Sequence, residues 1–356
     1  MNSRERVLNA LNFQKTDTMP IYDIINNKRV YEIYGGVEDL NNCNDVKSVA
    51  ADIYKKFGID VTRAFYNPKW QIGVVDSWIK YLKVPETGWV VKYNEDTSWV
   101  EERPYKTLED LYKNMPYIPD EKVIEADFVK SYIQTRDSFA PDVLYIPTIG
   151  GFLDLSYRFI DYELFCQGIF EEPELMDALM DVFFAMQKSY MSIYAKHNLG
   201  PALVYCDDIA FKTSLLFSPS FLEKKYFPRL KELFAPVKEK GIKVIYHSDG
   251  HLNAILDNLI DCGIDALNPL EKLADMDIVD IRRKYPKLAL VGGIDCSQLL
   301  AFGTQDDIKK EVERIIRSIG SYGGIILGST SEIHNGVPPE NCKYLYEIIK
   351  ELGAGL

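Results

Sequence analysis

The sequence predicts a single α/β domain over residues 1–356, folded as a (β/α)8 TIM barrel. Two observations support this prediction. Eight short apolar segments recur along the chain, and nearly all are separated by stretches whose apolar residues repeat with helical spacing. Parallel strands joined by helical crossovers produce this alternation. A doubly wound open sheet is the rival architecture, and the lack of a GxGxxG motif after the first strand disfavours it.

The predicted strands and helices follow one another in regular order. The strands begin near residues 19, 59, 143, 202, 243, 266, 288 and 324. Helices are predicted at residues 46–57, 121–139, 154–169, 173–197, 219–239, 252–260, 276–284, 306–319 and 338–352. Residues 3–13 form an additional N-terminal helix before the first strand, and Ser3 is its expected cap.

Residues 77–104 interrupt this alternation. The segment is rich in Trp, Tyr and Val, and its apolar and polar residues alternate on both sides of a turn sequence at residues 94–96. This pattern predicts a β-hairpin insertion after the second strand. Thr107 and Asp110 then have the spacing of a capping box, which predicts the start of a helix.

The composition is that of an ordinary globular protein with an acidic balance. Of the 356 residues, 47% are hydrophobic, and the formal net charge is −12. A nucleic-acid partner is not expected, because phosphate binding requires a basic surface. No membrane association is expected either, because no apolar run reaches the ~20 residues of a transmembrane helix. The N-terminus does not resemble a signal peptide, and the six cysteines form no CxxC motif, so we expect reduced thiols in a cytoplasmic protein.

The residues that follow the predicted strands form the candidate site, because catalytic residues of barrels lie at the carboxyl ends of the strands. Segment 243–250, KVIYHSDG, is the most informative one. Its apolar strand ends at His247, and Asp249 follows two residues later. Other polar residues in equivalent positions are Asp23, Tyr66, Asn67, Asp207, Asp208, Asn268, Glu271, Asp295, Glu332 and His334.

Two of the four histidines, His247 and His334, leave barrel strands among abundant carboxylates. Imidazole nitrogen and carboxylate oxygen are suitable zinc ligands, so this arrangement predicts a metal site. The predicted ligands are His247, with Asp249 or Glu332, and His334. The alternative is that His247 only forms a hydrogen bond with Asp249 or with the loop backbone.

The residues after the fourth predicted strand leave alternatives open. Cys206 could supply a thiolate to a metal or be a buried structural thiol. Asp207 and Asp208 are adjacent, so only one of them is expected to face the barrel interior. Either carboxylate could bind a substrate cation, act as an acid or base, orient a metal ligand, or cap the following loop.

The chain also resembles the uroporphyrinogen decarboxylase superfamily over nearly its full length. The segments that carry the resemblance are RERVLNALNFQKTDTMPIYD, GGFLDLSYRFIDYELF, DDIAFKTSLLFSPSFLEKKYFPRLKEL, IYHSDGHLNAILDNLIDCGIDALNPLE, VGGIDCSQLLAFGTQDDIKKEVERII and NGVPPENCKYL. This superfamily is a TIM barrel, so the resemblance implies the fold that the strand pattern predicts. The combination is much less specific for the activity.

The resemblance is closer to one branch of the superfamily than to the other. True uroporphyrinogen decarboxylases carry an RQAGR-type segment whose arginines bind the substrate's carboxylates, and here that place reads IINNKRVYE. The acid-rich mouth would also repel carboxylates. The other branch, cobalamin-dependent methyltransferases, includes coenzyme M enzymes that hold zinc through a His-x-Cys segment after strand five and a Cys after strand eight. This chain has His247-x-Asp249 at the first place, and Glu332 and His334 without a Cys near the second.

The resemblance therefore implies a corrinoid-dependent methyltransferase. It would move a methyl group between a small, methoxylated substrate and a corrinoid supplied by a partner protein, with zinc acting on the oxygen that bears the methyl group. In this interpretation the catalytic residues are Asp208, His247 and His334. The expected substrate contacts are Asp23, Asn26, Tyr66, Asn67, Tyr157 and Asn268. The alternatives are a decarboxylase of uroporphyrinogen or another acid and a non-catalytic barrel that binds a small ligand, and a homodimer is left open.

Overall fold

The structure is a computed structural model. It describes residues 1–38, 40, 43, 45–66, 74–93 and 98–355, with the backbone alone described at residues 74–77. The predicted substrate residue Asn67 and the predicted hairpin turn at residues 94–96 lie outside the described residues.

The described strands are short, as is usual for a barrel. They are β1 Ile25–Asn26, β2 Val61–Thr62, β3 Val90–Tyr93, β4 Ser98–Glu102, β5 Leu144–Tyr145, β6 Thr148–Gly150, β7 Ala202–Cys206, β8 Lys243–His247, β9 Ala266–Asn268, β10 Ala289–Ile294, β11 Ile325–Ser329 and β12 Ile333–His334.

Helices separate most of these strands. They are α1 Ser3–Leu11, α2 Lys28–Gly35, α3 Val46–Phe57, α4 Val74–Tyr81, α5 Leu108–Lys113, α6 Glu121–Phe139, α7 Phe152–Ile160, α8 Tyr162–Glu171, α9 Pro173–Lys196, α10 Pro219–Phe221, α11 Phe227–Glu239, α12 Leu256–Asp261, α13 Ile278–Lys284, α14 Leu299–Phe302, α15 Gln305–Ile319 and α16 Pro339–Leu352. A π-helical turn, Leu222–Tyr226, joins α10 to α11. Among the described helices, none is long and apolar enough to cross a bilayer.

The strands close into a ring of eight. Strands β6 to β11 form a parallel six-stranded sheet in which each strand pairs with the next, and β2 pairs with β5. Residues 20–23 close the ring through two parallel bridges, from Tyr22 to Val61 and from Ile21 to Leu327. Because β5 and β6 lie in one continuous segment, these pairings connect all eight predicted strand positions and confirm the barrel.

Apolar side chains fill the barrel interior. One buried cluster contains Tyr22, Ile24, Val61, Leu144, Ile146, Ala202, Val204, Ile245, Ala266, Ala289, Val291 and Ile326. Val7, Ala10 and Leu11 of α1 belong to the same cluster, so the N-terminal helix closes the amino-terminal end of the barrel. Polar chemistry is therefore left to the carboxyl ends of the strands.

Some elements differ from the prediction. The cap of α1 is Asn2 rather than Ser3, because the Asn2 side chain accepts a hydrogen bond from Glu5 N and the Glu5 side chain accepts one in return. The capping box of Thr107 is confirmed. Helices α2 and α4 were not predicted, since eight residues each give only about two turns of periodicity.

The insertion contains a helix as well as a hairpin. Strands β3 and β4 are antiparallel and lie between β2 and β5 in the chain. Helix α4 occupies the start of the segment predicted as extended. Its Trp78 is buried and contacts the rings of Trp89 and Phe159, so these aromatic side chains form packing contacts.

Candidate metal centre at the barrel mouth

A polar layer lies directly above the apolar barrel interior. Side chains two residues apart on a strand share a face. The positions that continue the inward-facing series by one step are Arg63, Thr148, Cys206, His247 and Asn268. Their contacts agree with this placement, because Arg63 reaches Tyr22, Thr148 and His247 across the ring.

Three side chains of this region form a group that could hold a metal ion. One donor atom each from Cys206, Asp208 and His247 lie within 4.8 Å of one another. It is the one such group of three or more His, Cys, Asp or Glu side chains found in the described part of the chain. Two of its members end neighbouring parallel strands, because Cys206 of β7 is in register with His247 of β8.

The imidazole of His247 is held in a defined orientation. Asn268 Oδ1 lies 2.6 Å from His247 Nδ1, and Asn268 Nδ2 donates to the carbonyl of Val291 at 3.0 Å. The amide oxygen therefore faces the ring, so Nδ1 carries the proton and donates it. This leaves the lone pair of Nε2 free for a metal ion, an arrangement that is typical of metal-binding histidines.

The electrostatic surroundings keep this imidazole neutral. Burial lowers the pKa of His247 to about 4, and the nearby Arg63 guanidinium acts in the same direction. A neutral imidazole is the form that binds metal. Burial also raises the pKa of the Cys206 thiol above its usual range, whereas Arg63 opposes this effect.

Helix α7 holds Asp208 in place. Arg158 Nη2 donates to Asp208 Oδ2 at 3.1 Å, and the Tyr157 hydroxyl donates to the Asp208 carbonyl at 2.9 Å. The backbone N–H of Asp249 donates to Asp208 Oδ1 at 3.1 Å. Arg158 is itself paired with Asp154, 2.6 Å away. These contacts fix the carboxylate of Asp208 beside the neutral imidazole of His247.

Asp249 lies next to the group without belonging to it. Its Oδ1 is 3.7 Å from His247 Nε2, and that oxygen is buried without a hydrogen-bond partner in the described structure. Burial, with the charges of Asp208 and Glu271, raises the pKa of Asp249 to about 7. The carboxyl group can therefore carry a proton near neutral pH.

Comparison with known proteins assigns the chain to a family. The family model for uroporphyrinogen decarboxylase (URO-D) matches residues 2–352. The chain belongs to the uroporphyrinogen decarboxylase family.

Relatives of this family member carry two different activities. A uroporphyrinogen decarboxylase of Carboxydothermus hydrogenoformans is 25% identical over 277 residues, which cover 74% of this chain and 73% of that protein. A methylcobamide:CoM methyltransferase of Methanosarcina barkeri is 26% identical over 215 residues, 59% of each protein. A solved methyltransferase from Methanosarcina mazei has a TM-score of 0.73 at 18% identity and 99% coverage of both chains, which shows the shared fold.

Asp23, a predicted substrate contact, lies outside the group of Cys206, Asp208 and His247. Asp23 is fully buried, and its carboxylate accepts hydrogen bonds from Ser329 Oγ at 2.6 Å, Ser329 N at 3.1 Å and Ile24 N at 2.8 Å. It is adjacent to the inward-facing Tyr22, so it points to the outer side of the barrel. These bonds join the first strand to β11, and the predicted contact of Asp23 with substrate stays a prediction.

Glu332 and His334 lie at another part of the mouth. β12 pairs with β1, which sets His334 beside Asn26. Glu332 Oε1 accepts a hydrogen bond from Asn26 Nδ2 at 3.2 Å, and His334 Nδ1 accepts one from Gly336 N at 3.1 Å. Both residues are outside the group of Cys206, Asp208 and His247. Their predicted roles as metal ligands stay predictions.

Tyr66 follows β2 near the first strand. Its backbone N–H donates to Ile25 O and lies 3.0 Å from the Tyr31 hydroxyl, and the rings of Tyr31 and Tyr66 are 5.6 Å apart. Tyr66 is therefore half-buried at the rim. Its predicted contact with substrate stays a prediction.

Asp207 and Asp208 are adjacent in the chain, but their side chains point in different directions. It is fully buried, with Oδ1 accepting from Asp154 N at 2.6 Å and Oδ2 accepting from the hydroxyls of Tyr205 and Tyr226 at 3.0 Å. Burial, with the charge of Asp154, raises the pKa of Asp207 to about 7. This carboxyl group faces the helices, while Asp208 faces the mouth.

Sequence reasoning missed Arg63 and Arg158 and left Cys206 undecided. The signal for Arg63 and Cys206 was the alternation along their strands, since Val61 and Val204 two residues earlier face the interior. No comparable signal marked Arg158, because its role depends on how α7 packs over the end of β7. A cavity of about 790 Å³ lies elsewhere, between α1, α6 and the loops before β7 and β8, and contains none of these residues.

Proposed function

We propose that the protein is a metal-assisted, corrinoid-dependent methyltransferase. The observation that carries the proposal is the group of Cys206, Asp208 and His247 at the barrel mouth. Support comes from the family, whose members similar to this chain include a methylcobamide methyltransferase. A corrinoid protein would dock over the mouth, and the small substrate would enter between them. The cytoplasmic location and a homodimer stay predictions.

The residues of the group fit zinc. One sulfur, one nitrogen and one oxygen donor are ordinary zinc ligands, and three protein ligands with one open position are typical of catalytic zinc sites. The hydrogen bond from His247 Nδ1 to Asn268 leaves Nε2 available, as a zinc ligand requires. When bound, zinc would act as a Lewis acid on the heteroatom that carries the methyl group.

The donor set favours an oxygen as that heteroatom. The coenzyme M branch, which activates a thiol, holds zinc with two cysteines, whereas this group supplies one. Harder oxygen and nitrogen donors suit the polarisation of an oxygen better than that of a sulfur. We therefore propose a methoxylated substrate.

Asp249 is proposed to supply the proton of the reaction. Transfer of a methyl group from R–O–CH₃ to Co(I) breaks the O–CH₃ bond, forms a Co–CH₃ bond and leaves an oxyanion that must be protonated. Asp249 is placed for this role, because its Oδ1 lies 3.7 Å from His247 Nε2 and is buried without a hydrogen-bond partner in the described structure. Asp208, held by Arg158 and Tyr157, would keep the bound group in position.

The proposal is tested by methyl transfer to free cob(I)alamin. Zinc-loaded protein is mixed with chemically reduced cobalamin and a panel of methoxylated compounds, and methyl-Co(III) formation is followed by its absorption spectrum. His247→Ala should abolish the reaction and the binding of zinc. His197→Ala is the matched control, because His197 pairs with Glu125 far from the mouth. Equal rates with and without the His247 imidazole would refute the proposed site.

Decarboxylation of uroporphyrinogen is the second candidate. It is favoured by the relative from Carboxydothermus hydrogenoformans that carries this name and matches 74% of the chain. Incubation with uroporphyrinogen and analysis for coproporphyrinogen by chromatography decide the question. We expect no product, because the segment after the first strand keeps at most one, Arg29, of the arginines of true decarboxylases.

A further inference from the structure

The cavity of about 790 Å³ lies at the amino-terminal end of the barrel, and its charged lining has one sign. Its walls come from α1, α6 and the loops before β5, β7 and β8. The cationic side chains among the lining residues are Arg4, Arg136, Lys240 and Lys243, and no described Asp or Glu lines it. In the whole chain, by contrast, 53 acidic residues outnumber 41 basic ones. The cavity is therefore a basic site on an acidic protein.

Two neighbouring cavities show that this lining is not a general property of grooves on the protein. The cavity between α6 and α9 is lined by Glu121 and Glu125 as well as three lysines. The cavity between α1, α3 and α16 is lined by Asp60 and Asp142 as well as Arg6 and two lysines. Both mix the two signs of charge, so the absence of described acids distinguishes the large cavity from them.

Arg4 of α1 and Arg136 of α6 approach the same wall of the cavity. In this wall the hydroxyl of Tyr132 donates to Tyr145 O at 3.2 Å and lies 3.4 Å from the hydroxyl of Tyr194. Burial raises the pKa of Tyr132 and of Tyr194, and the charges of both arginines oppose this effect at each tyrosine. Both guanidinium groups therefore lie near one pair of hydroxyls, although they come from different helices.

The chain neutralises these cations only in part. Arg136 pairs with its neighbour in the chain, Asp137, at 2.8 Å, and Lys243 pairs with Asp265 at 3.3 Å. Neither acid is among the lining residues, so each pair leaves the cavity side of its cation open. The other two cations form no ion pair within the described part of the chain. An anion in the cavity would thus meet positive charge from several directions.

The rest of the lining is largely apolar. It includes Pro141, Tyr145, Leu199 and Pro201, whose side chains offer rings and branched groups to a flat ligand. The volume lies within the range of about 300–1,000 Å³ that is usual for small-molecule pockets. An apolar wall beside a cationic one suits a molecule with a ring at one end and several negative charges at the other.

We propose that this cavity binds a nucleoside polyphosphate, at the end of the barrel remote from the metal group. Each phosphate carries up to about two negative charges and several acceptor oxygens, so a chain of phosphates can use four cations at once, which a single carboxylate cannot. Guanidinium groups bind phosphate oxygens through paired hydrogen bonds, and lysines act as point charges. The inference goes beyond methyl transfer and does not depend on it.

The experiment measures binding by calorimetry in buffer without divalent cations. The probes are ATP, GTP and UTP, together with their nucleosides, inorganic triphosphate, and citrate as a polyanion without phosphate. At least one nucleotide should bind more tightly than its nucleoside, triphosphate and citrate, and its Kd should rise with salt concentration. That nucleotide serves as the probe for the variants.

The variants remove exposed cations, which leaves the barrel core untouched. Arg4→Gln and Lys240→Gln should each raise the Kd of the nucleotide about 10-fold, because each loses a charge-assisted hydrogen bond. The double variant should raise it about 100-fold if the two contacts are independent. Lys15→Gln is the matched control, since Lys15 is an exposed cation that follows α1 and lines a different cavity. His247→Ala should also leave the Kd unchanged, because His247 ends β8 and the cavity lies at the start of that strand.

Several results would overturn the proposal. These are no binding of any of the three nucleotides, binding of triphosphate or citrate as tight as that of the best nucleotide, and equal losses in Arg4→Gln and Lys15→Gln. A Kd that rises in His247→Ala but not in Arg4→Gln would place the nucleotide at the metal group and also overturn it. Nucleotide binding that depends on Arg4 in a protein without methyl transfer would support the cavity and contradict the proposed function. Methyl transfer by a protein that binds no nucleotide would do the reverse.

Discussion

The hydrogen bond between Asn268 and His247 should control zinc affinity, although Asn268 does not touch the metal. In Asn268→Ala, His247 Nδ1 loses its acceptor at 2.6 Å, and the nearest described polar neighbour is then Arg63 Nη2 at 3.5 Å. Arg63 can only donate. It would therefore favour the tautomer in which Nδ1 accepts and Nε2 carries the proton, and a protonated Nε2 cannot bind zinc.

The expected loss is moderate. Removal of a residue that orients a metal-binding histidine lowers metal affinity about 10- to 100-fold, which corresponds to about 1.4–2.7 kcal/mol. Zinc affinity is measured by competition with a chromophoric chelator at constant pH. Asn268→Asp retains an acceptor for Nδ1 and should bind zinc at least as tightly as wild type. Asn253→Ala is the control, since Asn253 donates to Asp275 O on the surface.

A double variant separates the tautomer argument from simple loss of packing. In Arg63→Met with Asn268→Ala, no donor faces Nδ1, so Nε2 is free more often than in Asn268→Ala alone. The double variant should therefore bind zinc more tightly than the single one. An affinity of Asn268→Ala within about threefold of wild type, or a double variant that is weaker still, would refute the reasoning.

Three further predictions concern the group and the layer behind it. Cys206→Ala should lower zinc affinity more than the ~10- to 100-fold expected for a residue that only supports a ligand. The control Cys166→Ala should leave zinc affinity unchanged. Equal zinc affinities of Cys206→Ala and wild type would exclude Cys206 as a ligand. Gly151→Ala should destabilise the fold by about 3 kcal/mol or more in urea denaturation, because its Cβ would lie 1.9 Å from Asp207 Cγ. Gly150→Ala, whose Cβ would have its nearest contact at 3.4 Å, should cost less than about 1 kcal/mol. Similar losses of stability in both variants would contradict the geometry. Burial raises the pKa of Asp207 from 3.8 to about 7, so the stability linked to its bound proton is present below the unfolded pKa and is lost as the pH rises to about 7. Between about pH 4 and 7 the urea denaturation midpoint of Asp207→Asn should therefore fall less than that of wild type. Parallel pH profiles of the two proteins would show that the pKa of Asp207 is not raised.

The order of strands was predictable because each barrel strand has a local signal. Segments such as KVIYH and ALVYC are apolar, short and followed by polar residues, so their position does not depend on the rest of the chain. Helices of three or more turns, such as α3 and α6, agree with their predicted bounds. Short helices such as α2 and α4 carry too little periodicity, and packing of residues like Trp78 decides their conformation.

The site was predictable to a smaller degree. His247 and Asp208 follow strands whose ends are clear, and the structure brings both into one group. Glu332 and His334 also follow a strand, but β12 diverges from β11 to pair with β1, which no local pattern indicates. Arg63 and Cys206 could have been found by extending the inward-facing series by one residue pair. Inward-facing side chains stop being apolar at the mouth, but side chains along each strand still alternate between the inward and outward faces.

The acid-rich mouth does not exclude an acidic substrate. Net charge acts over distances that salt screens within about 8–10 Å, whereas groups in contact with the substrate act directly. Asp208 is paired with Arg158, and Asp207 and Asp23 face away from the mouth. Arg63 is a cationic side chain of the polar layer, and its guanidinium donates to Tyr22 and Thr148. The many carboxylates of a porphyrinogen need several cations, whereas the segment after the first strand offers at most Arg29 in place of the decarboxylases' arginines. This difference separates the two candidate functions more sharply than the overall charge of −12 does.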